Sequence, residues 1–329
     1  MIHRNTVRLA RVALVAFAVG VAAAGAAAQD AWPNKPIRLI VPTAAGSGTD
    51  TMARMMAEKL SPALRQPIVV DNKPGGSGII ATTAMLQAPA DGYTLMYNNG
   101  SFVVMAPALM SNLPYDTGKD MVPVAQTAVG GVIMVANPAI PVRNLPELVA
   151  FVKANPDKYS YGSFGLGTSG HLITEWLIQQ TGMRLAHVPY KSTPQMLGDV
   201  AAGTLLFGWS DPGTPLPLIQ AGKVRGITIS GNVRVPATPD VATMGEQGYP
   251  FTAVGWMGVF APAGTPPAVL QRLNQEINGI QARPETAAEM ARRNYEPPPV
   301  KSLDEFRDIV RSDLQTWREI VRKGNIKAE

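Results

Sequence analysis

Hydroxyls and glycines, gathered in two short runs, carry the chemistry legible in this chain. Pro42-Thr-Ala-Ala-Gly-Ser-Gly-Thr-Asp50 follows the apolar run Ile37–Val41 and precedes an amphipathic stretch from Thr51 to Leu60. Tyr161-Gly-Ser-Phe-Gly-Leu-Gly-Thr-Ser-Gly-His-Leu172 follows Tyr159-Ser160 and precedes Ile173 to Gln180. A strand that turns into a helix leaves unpaired N–H groups at the positive end of the helix, where an anion is welcome. Thr43, Ala44, Ala45, Gly46, Ser47 and Thr49 are the candidate contacts in the first turn. Ser163, Gly165, Gly167, Thr168 and Ser169 are those in the second. Each hydroxyl has a second reading as a helix cap or turn former. Asp50 reads as an N-terminal cap, since a carboxylate there would repel an anion.

Two further places fit the same chemistry. Asn98-Asn99-Gly100-Ser101 closes the apolar run Tyr93–Tyr97, at the end of a strand where α/β sheets present ligand contacts; Asn99 and Ser101 are the candidates. Ser210-Asp211 stands at the corresponding end of Leu205–Trp209. Asp211 either accepts from a ligand or orders the turn into Pro212-Gly213.

Catalytic readings find less support. Gly165, Gly167 and Gly170 satisfy G-x-G-x-x-G, but the next strand ends in His187-Val-Pro-Tyr-Lys191, without the acid a dinucleotide ribose needs. Ser169, His171 and Asp211 form a hydrolase triad only on paper, because residues two apart at a helix start do not face each other. No G-x-S-x-G, Walker or H-E-x-x-H motif occurs. With two histidines beyond the leader and no cysteine, neither a metal nor a cofactor is expected, and His171 reads as a residue that orders its loop.

The elements that must position these residues follow from periodicity. Ile37–Val41, Pro67–Val70 and Tyr93–Tyr97 read as strands, alternating with helices over Thr51–Leu60 and Ile80–Leu86. Met52, Met55, Met56 and Leu60 form a core stripe. This order predicts a parallel sheet with right-handed crossovers. A second cycle runs from Ile133 to Ser230, with helices over Asn144–Ala154 and Thr193–Ala202. Gly255–Phe260 reads as a strand returning to the first unit, and the tail is helical over Pro266–Ile280, Pro284–Arg292 and Leu303–Val321. The expectation is a two-lobed α/β protein with crossings near Val124–Ile133 and Thr252–Phe260, which form a hinge. Residues 29–130 and 255–329 would make lobe 1, and residues 131–254 lobe 2.

The N-terminus reads as a cleaved export signal over residues 1–28. Arg4, Arg8 and Arg11 precede the apolar Val12–Val21, and Ala26-Ala27-Ala28 offers a cleavage site. Removing those three arginines lowers the formal charge from +5 to +2. No basic stripe remains, so nucleic acid is not an expected partner. Without cysteine no disulfide can form, and stability must come from the core.

Nine segments together resemble a known family: the periplasmic solute-binding receptors of tripartite tricarboxylate transporters, the Bug family. They are Trp32-Pro-Asn-Lys-Pro-Ile-Arg-Leu-Ile-Val-Pro42, the turn ending at Asp50, Val70-Asp-Asn-Lys-Pro-Gly-Gly76, Ala90-Asp-Gly-Tyr-Thr-Leu95 and Leu113-Pro-Tyr-Asp116. Gly165 to Leu172, His187 to Lys191, Leu218-Ile-Gln-Ala-Gly-Lys223 and Phe260-Ala-Pro-Ala-Gly-Thr265 complete the series. The resemblance implies a type II-like periplasmic-binding-protein fold, a monomer whose two glycine-rich turns clamp a small organic carboxylate and pass it to an inner-membrane permease. It adds Tyr190 to the candidate contacts and implies no catalysis. The same pocket would serve a receptor that reports to a sensor kinase, and an exported enzyme is the third reading. The chain departs from the family at Gly203-Thr-Leu-Leu-Phe-Gly-Trp-Ser-Asp211, where an acid of the usual pattern is missing. Trp209 there is either core or a wall of the distal pocket.

Overall fold

Two five-stranded sheets organise the protein. The computed structural model describes residues 32–231, 233–251, 255–323 and 325–327; the expected leader, residues 1–28, lies outside them. The first sheet has the order β2-β1-β3-β10-β4, built from β1 (Ile37–Val41), β2 (Ile68–Asn72), β3 (Thr94–Asn99), β4 (Met121–Gly130) and β10 (Gly255–Pro262). The second has the order β7-β6-β8-β5-β9, built from β5 (Ile133–Ala136), β6 (Ser160–Ser163), β7 (Ala186–Pro189), β8 (Phe207–Ser210) and β9 (Arg225–Ile229).

Both sheets are mixed: the parallel pairing expected of the first three strands is present, and antiparallel strands join it. β1 runs parallel to β2 and β3, as the alternation of strands and helices requires. The returning β10, however, enters antiparallel between β3 and β4. In the second sheet β5 is antiparallel to β8 and β9, and only β6 pairs in parallel, with β7 and β8.

β4 occupies most of the stretch read as the first crossing, Val124–Ile133. It lies at the edge of the sheet, and Pro123 faces Phe260 at a shift in the ladder register, where a missing N–H costs least. Residues Val124 to Gly130 therefore belong to the sheet. The first crossing narrows to Gly131-Val132, and of the second expected crossing Thr252–Val254 lie outside the described residues.

Each strand splits its side chains between two cores, as a period of two dictates. Ile37, Leu39, Val41, Leu95, Tyr97, Val259 and Ala261 pack on one face with Met52, Met55, Met56 and Leu60 of helix α1 (Gly48–Leu64). Ile40, Met96 and Phe260 point to the other face. The four stripe residues of α1 are at most 3 % exposed. Burying each such side chain contributes about 1.5–3 kcal/mol. The second face continues into the second sheet, so that Met134, Tyr161, Phe207 and Trp209 share one apolar cluster with Met96 and Phe260.

Candidate functional site

The first glycine-rich turn is a braced loop. Helix α1 starts at Gly48, and its cap is Ser47, whose Oγ accepts the Asp50 N–H at 3.4 Å and donates to Thr43 Oγ1 at 2.6 Å. Asp50 is thus a first-turn acid and not the cap expected of it. Its carboxylate accepts from the Gly46 N–H (2.9 Å), Arg54 Nε (3.1 Å) and Asn72 Nδ2 (2.8 Å). Burial pushes its pKa up, but Arg54, the Gly46 N–H and Asn72 outweigh that and hold it below the ordinary value.

The second turn is braced by histidines. It links β6 to helix α4 (Ser169–Thr181; α2 is Ile79–Leu86 and α3 Leu145–Lys153). His171 Nδ1 accepts the Gly167 N–H at 3.1 Å, and Ser163 Oγ lies 2.7 Å from His187 Nε2. The two imidazoles stack at 4.4 Å. Burial lowers the His171 pKa to about 4, and burial with the neighbouring His171 lowers that of His187 to about 3. Both rings are neutral near pH 7 and act as fixed struts. His171 orders its loop, in line with the sequence reading.

Between these turns lies a cleft, whose empty space is about 700 Å³ with open solvent at its mouth included. Thr49 and Asn99 meet on one wall, Asn99 Nδ2 donating to Thr49 Oγ1 at 3.0 Å. Ser101 opens a short π-helical turn, Ser101–Met105, after β3. Its Oγ donates to Ser169 Oγ at 3.2 Å and accepts the Ser169 N–H at 3.3 Å, so the two sheets touch through paired hydroxyls. Asp211 reaches across as well. Its carboxylate accepts the Gly48 N–H at 3.1 Å, and also the N–H groups of Gly213 and Thr214 and the Thr214 hydroxyl. The buried Tyr295 hydroxyl sits at the same point; burial and the Asp211 charge raise its pKa, so it stays protonated.

A model of the family described as "Tripartite tricarboxylate transporter family receptor" matches residues 52–326. The chain belongs to that receptor family. It is 33% identical over 320 residues to Protein BugT of Bordetella pertussis (strain Tohama I), which covers 95% of this chain and 98% of BugT. Two solved structures are similar in fold and sequence. An R. palustris protein with adipate has a TM-score of 0.86 at 28% identity, over 90% of this chain and 99% of that one. MatC from Rhodopseudomonas palustris, with bound malate, has a TM-score of 0.83 at 27% identity, over 88% and 100%.

In this receptor the structure brings Thr43, Ser47, Thr49, Asn99, Ser101, Ser169 and Asp211 to the wall of one cleft. Gly165 and Tyr190 line an adjoining cavity, which Thr43 shares. Tyr190 donates its hydroxyl to Asp199 at 2.7 Å, and burial, together with that bond and the Asp199 charge, raises its pKa to about 12. Ala44, Ala45, Gly46, Ser163, Gly167 and Thr168 line neither cavity. Ser163 and Thr168 are fully buried and donate to the Gly165 carbonyl, at 3.0 and 2.6 Å, so they shape the turn from within.

Trp209 is core: it is fully buried and its indole N–H donates to Thr174 Oγ1 at 2.8 Å. The aromatic wall of the cleft comes from residues not singled out by sequence, namely Phe164, Phe251, Trp256 and Trp317. The pairs Phe251–Trp317 and Trp256–Phe306 pack at 6.0 and 5.5 Å between ring centres. Trp317 lies on the C-terminal helix, Leu303–Lys323, where an amphipathic pattern reads simply as core. Among the described residues no cluster of three metal-ligating side chains occurs, and no helix is long and apolar enough to cross a membrane.

Proposed function

We propose that this receptor works in the periplasm as a monomer, after removal of residues 1–28, and captures a small organic carboxylate between two lobes. Residues 29–130 with 255–329 form one lobe and 131–254 the other, joined by two crossings that allow closure. The observation that supports this best is the meeting of Ser101 and Ser169 in the cleft, beside the starts of two helices that come from different sheets. Hydroxyls and helix-start N–H groups together suit a carboxylate without any cation. The solved relatives with adipate and malate fit the same class of ligand.

The closed receptor then docks on an inner-membrane permease and releases its cargo. It carries out no bond-making step. Ser163 and His187 stand at the spacing of a nucleophile and base, but the serine is fully buried and its hydroxyl is bound within the turn.

The test is thermal unfolding of the exported form, stripped of bound ligand by unfolding and refolding, against a panel of organic acids. Ligand at 100 times its dissociation constant adds about 2.7 kcal/mol. A coherent set of stabilising carboxylates is the expected result. A panel without any stabilising carboxylate would overturn the proposal.

A further inference from the structure

The cleft has two chemically distinct ends, and they adjoin at a single peptide. Ser101 belongs to the hydroxyl end. Its neighbour Gly100 lies against the Trp256 indole, where a Cβ would sit 3.2 Å from the ring. Glycine at this position lets the aromatic wall reach the hydroxyls directly. From there the lining is apolar, through Met105, Ile173, Phe251, Trp256 and Trp317, and Phe164 lines the same cleft. Phe251, Trp256 and Trp317 are only 4–6 % exposed, yet their faces border the cavity.

The polar groups near that wall are already engaged. The Trp256 indole N–H donates to Asp313 at 2.7 Å, behind the wall. Asp211 is the one charged side chain among the described residues that line the cleft, and no lysine, arginine or histidine is among them. Its two oxygens accept four hydrogen bonds from Gly48, Gly213 and Thr214, so a ligand ammonium is not needed to satisfy it.

Resting on the carboxylate reading above, we infer that the ligand is a monocarboxylate with an apolar, ring-sized body. Its single carboxylate meets Ser101, Ser169 and Thr49, and the ring lies between Trp256, Trp317 and Phe164. A second carboxylate would be stripped of water against indole and phenyl faces, with no cation to receive it. An α-amino group would find Asp211 occupied. The inferred ligand therefore differs from the malate and adipate held by the similar proteins.

The experiment is calorimetric titration, with tryptophan fluorescence alongside, of the stripped and refolded protein. The probes are benzoate, phenylacetate, cyclohexanecarboxylate, malate, adipate, citrate and glutamate. One of the three ring acids is expected to bind at least about tenfold tighter than the di- and tricarboxylates and glutamate. The leading ring acid should lose about tenfold or more in Trp317→Leu and in Phe164→Leu. Phe164 is half-buried, so its variant keeps the test open if Trp317→Leu does not fold. Tightest binding by malate, adipate, citrate or glutamate would overturn the inference and leave the carboxylate receptor standing. Ring-acid affinity unchanged in the folded variants would also overturn it. Absence of binding by every probe would remove the carboxylate reading and this inference together.

Discussion

The carboxylate of Asp211 accepts the backbone N–H of Gly48 across 163 residues of chain, at 3.1 Å. An acid of the second unit therefore rests on the start of the helix that follows β1. The same carboxylate gathers the turn Pro212–Thr214. Asp211→Ala leaves the N–H groups of Gly48, Gly213 and Thr214 without this acceptor, whereas Asp211→Asn keeps one oxygen. We expect Asp211→Ala to cost about 2–3 kcal/mol and Asp211→Asn about half that. Ligand-free thermal unfolding checks this, since each kcal/mol lowers Tm by about 2–4 °C in a chain of this size. Equal melting of both variants and the parent would show that the bond across the cleft is not made in solution.

The stacked His171 and His187 predict sensitivity to acid. Burial lowers their pKa values to about 4 and about 3, against 6.5 for an ordinary histidine. As pH falls below about 6.5 the unfolded chain takes up protons that the fold does not, so stability declines from there to about pH 4. Each histidine contributes a slope of at most about 1.4 kcal/mol per pH unit, over a narrower pH range for the half-buried His187, where water screens the charge. Urea titrations at pH 7.5 and 5.0 measure it. His187→Gln and His171→Gln should each shrink the difference, and a difference unchanged in both variants would remove this pair as its source.

Gly167→Ala should impair closure more than folding. The residue has φ +72°, and a Cβ would lie 2.9 Å from Ala106 Cα, which follows the Ser101–Met105 turn beyond β3. We expect a loss of about tenfold in ligand affinity, with a drop in Tm of a few degrees from backbone strain. Titration with the leading ligand and unfolding of the same preparation separate the two effects.

Trp209→Phe tests the core assignment. It removes a buried donor and leaves Thr174 Oγ1 with only its own bond to the Gly170 carbonyl, with a cavity where the larger ring stood. The expected cost is about 2–3 kcal/mol in urea unfolding, with ligand preference unchanged. Altered selectivity among acids would return Trp209 to the pocket.

The parts of this protein legible in its sequence are those with a local signal. Strands such as Ile37–Val41 and Ile133–Ala136, and the glycine turns that follow strands, come from short-range pattern and backbone need. β4 was obscured by Pro123, which only its pairing with Phe260 makes harmless. The aromatic wall had no local signal, since Phe251, Trp256 and Trp317 resemble ordinary core residues and meet only through the tertiary fold. The hydroxyls of Ser163 and Thr168 show the opposite case. Their types suggested ligand contact, and only the geometry reveals that Gly165 takes both.

The placement of β10 sets an order in time. β4 joins its sheet only through β10, which begins at Gly255, while all five strands of the second sheet lie between residues 133 and 229. A chain that emerges N-terminus first can complete the later sheet while β3 and β4 still wait with open edges. The unit begun first is thus finished last, and it needs protection from aggregation for as long as its edges stay unpaired.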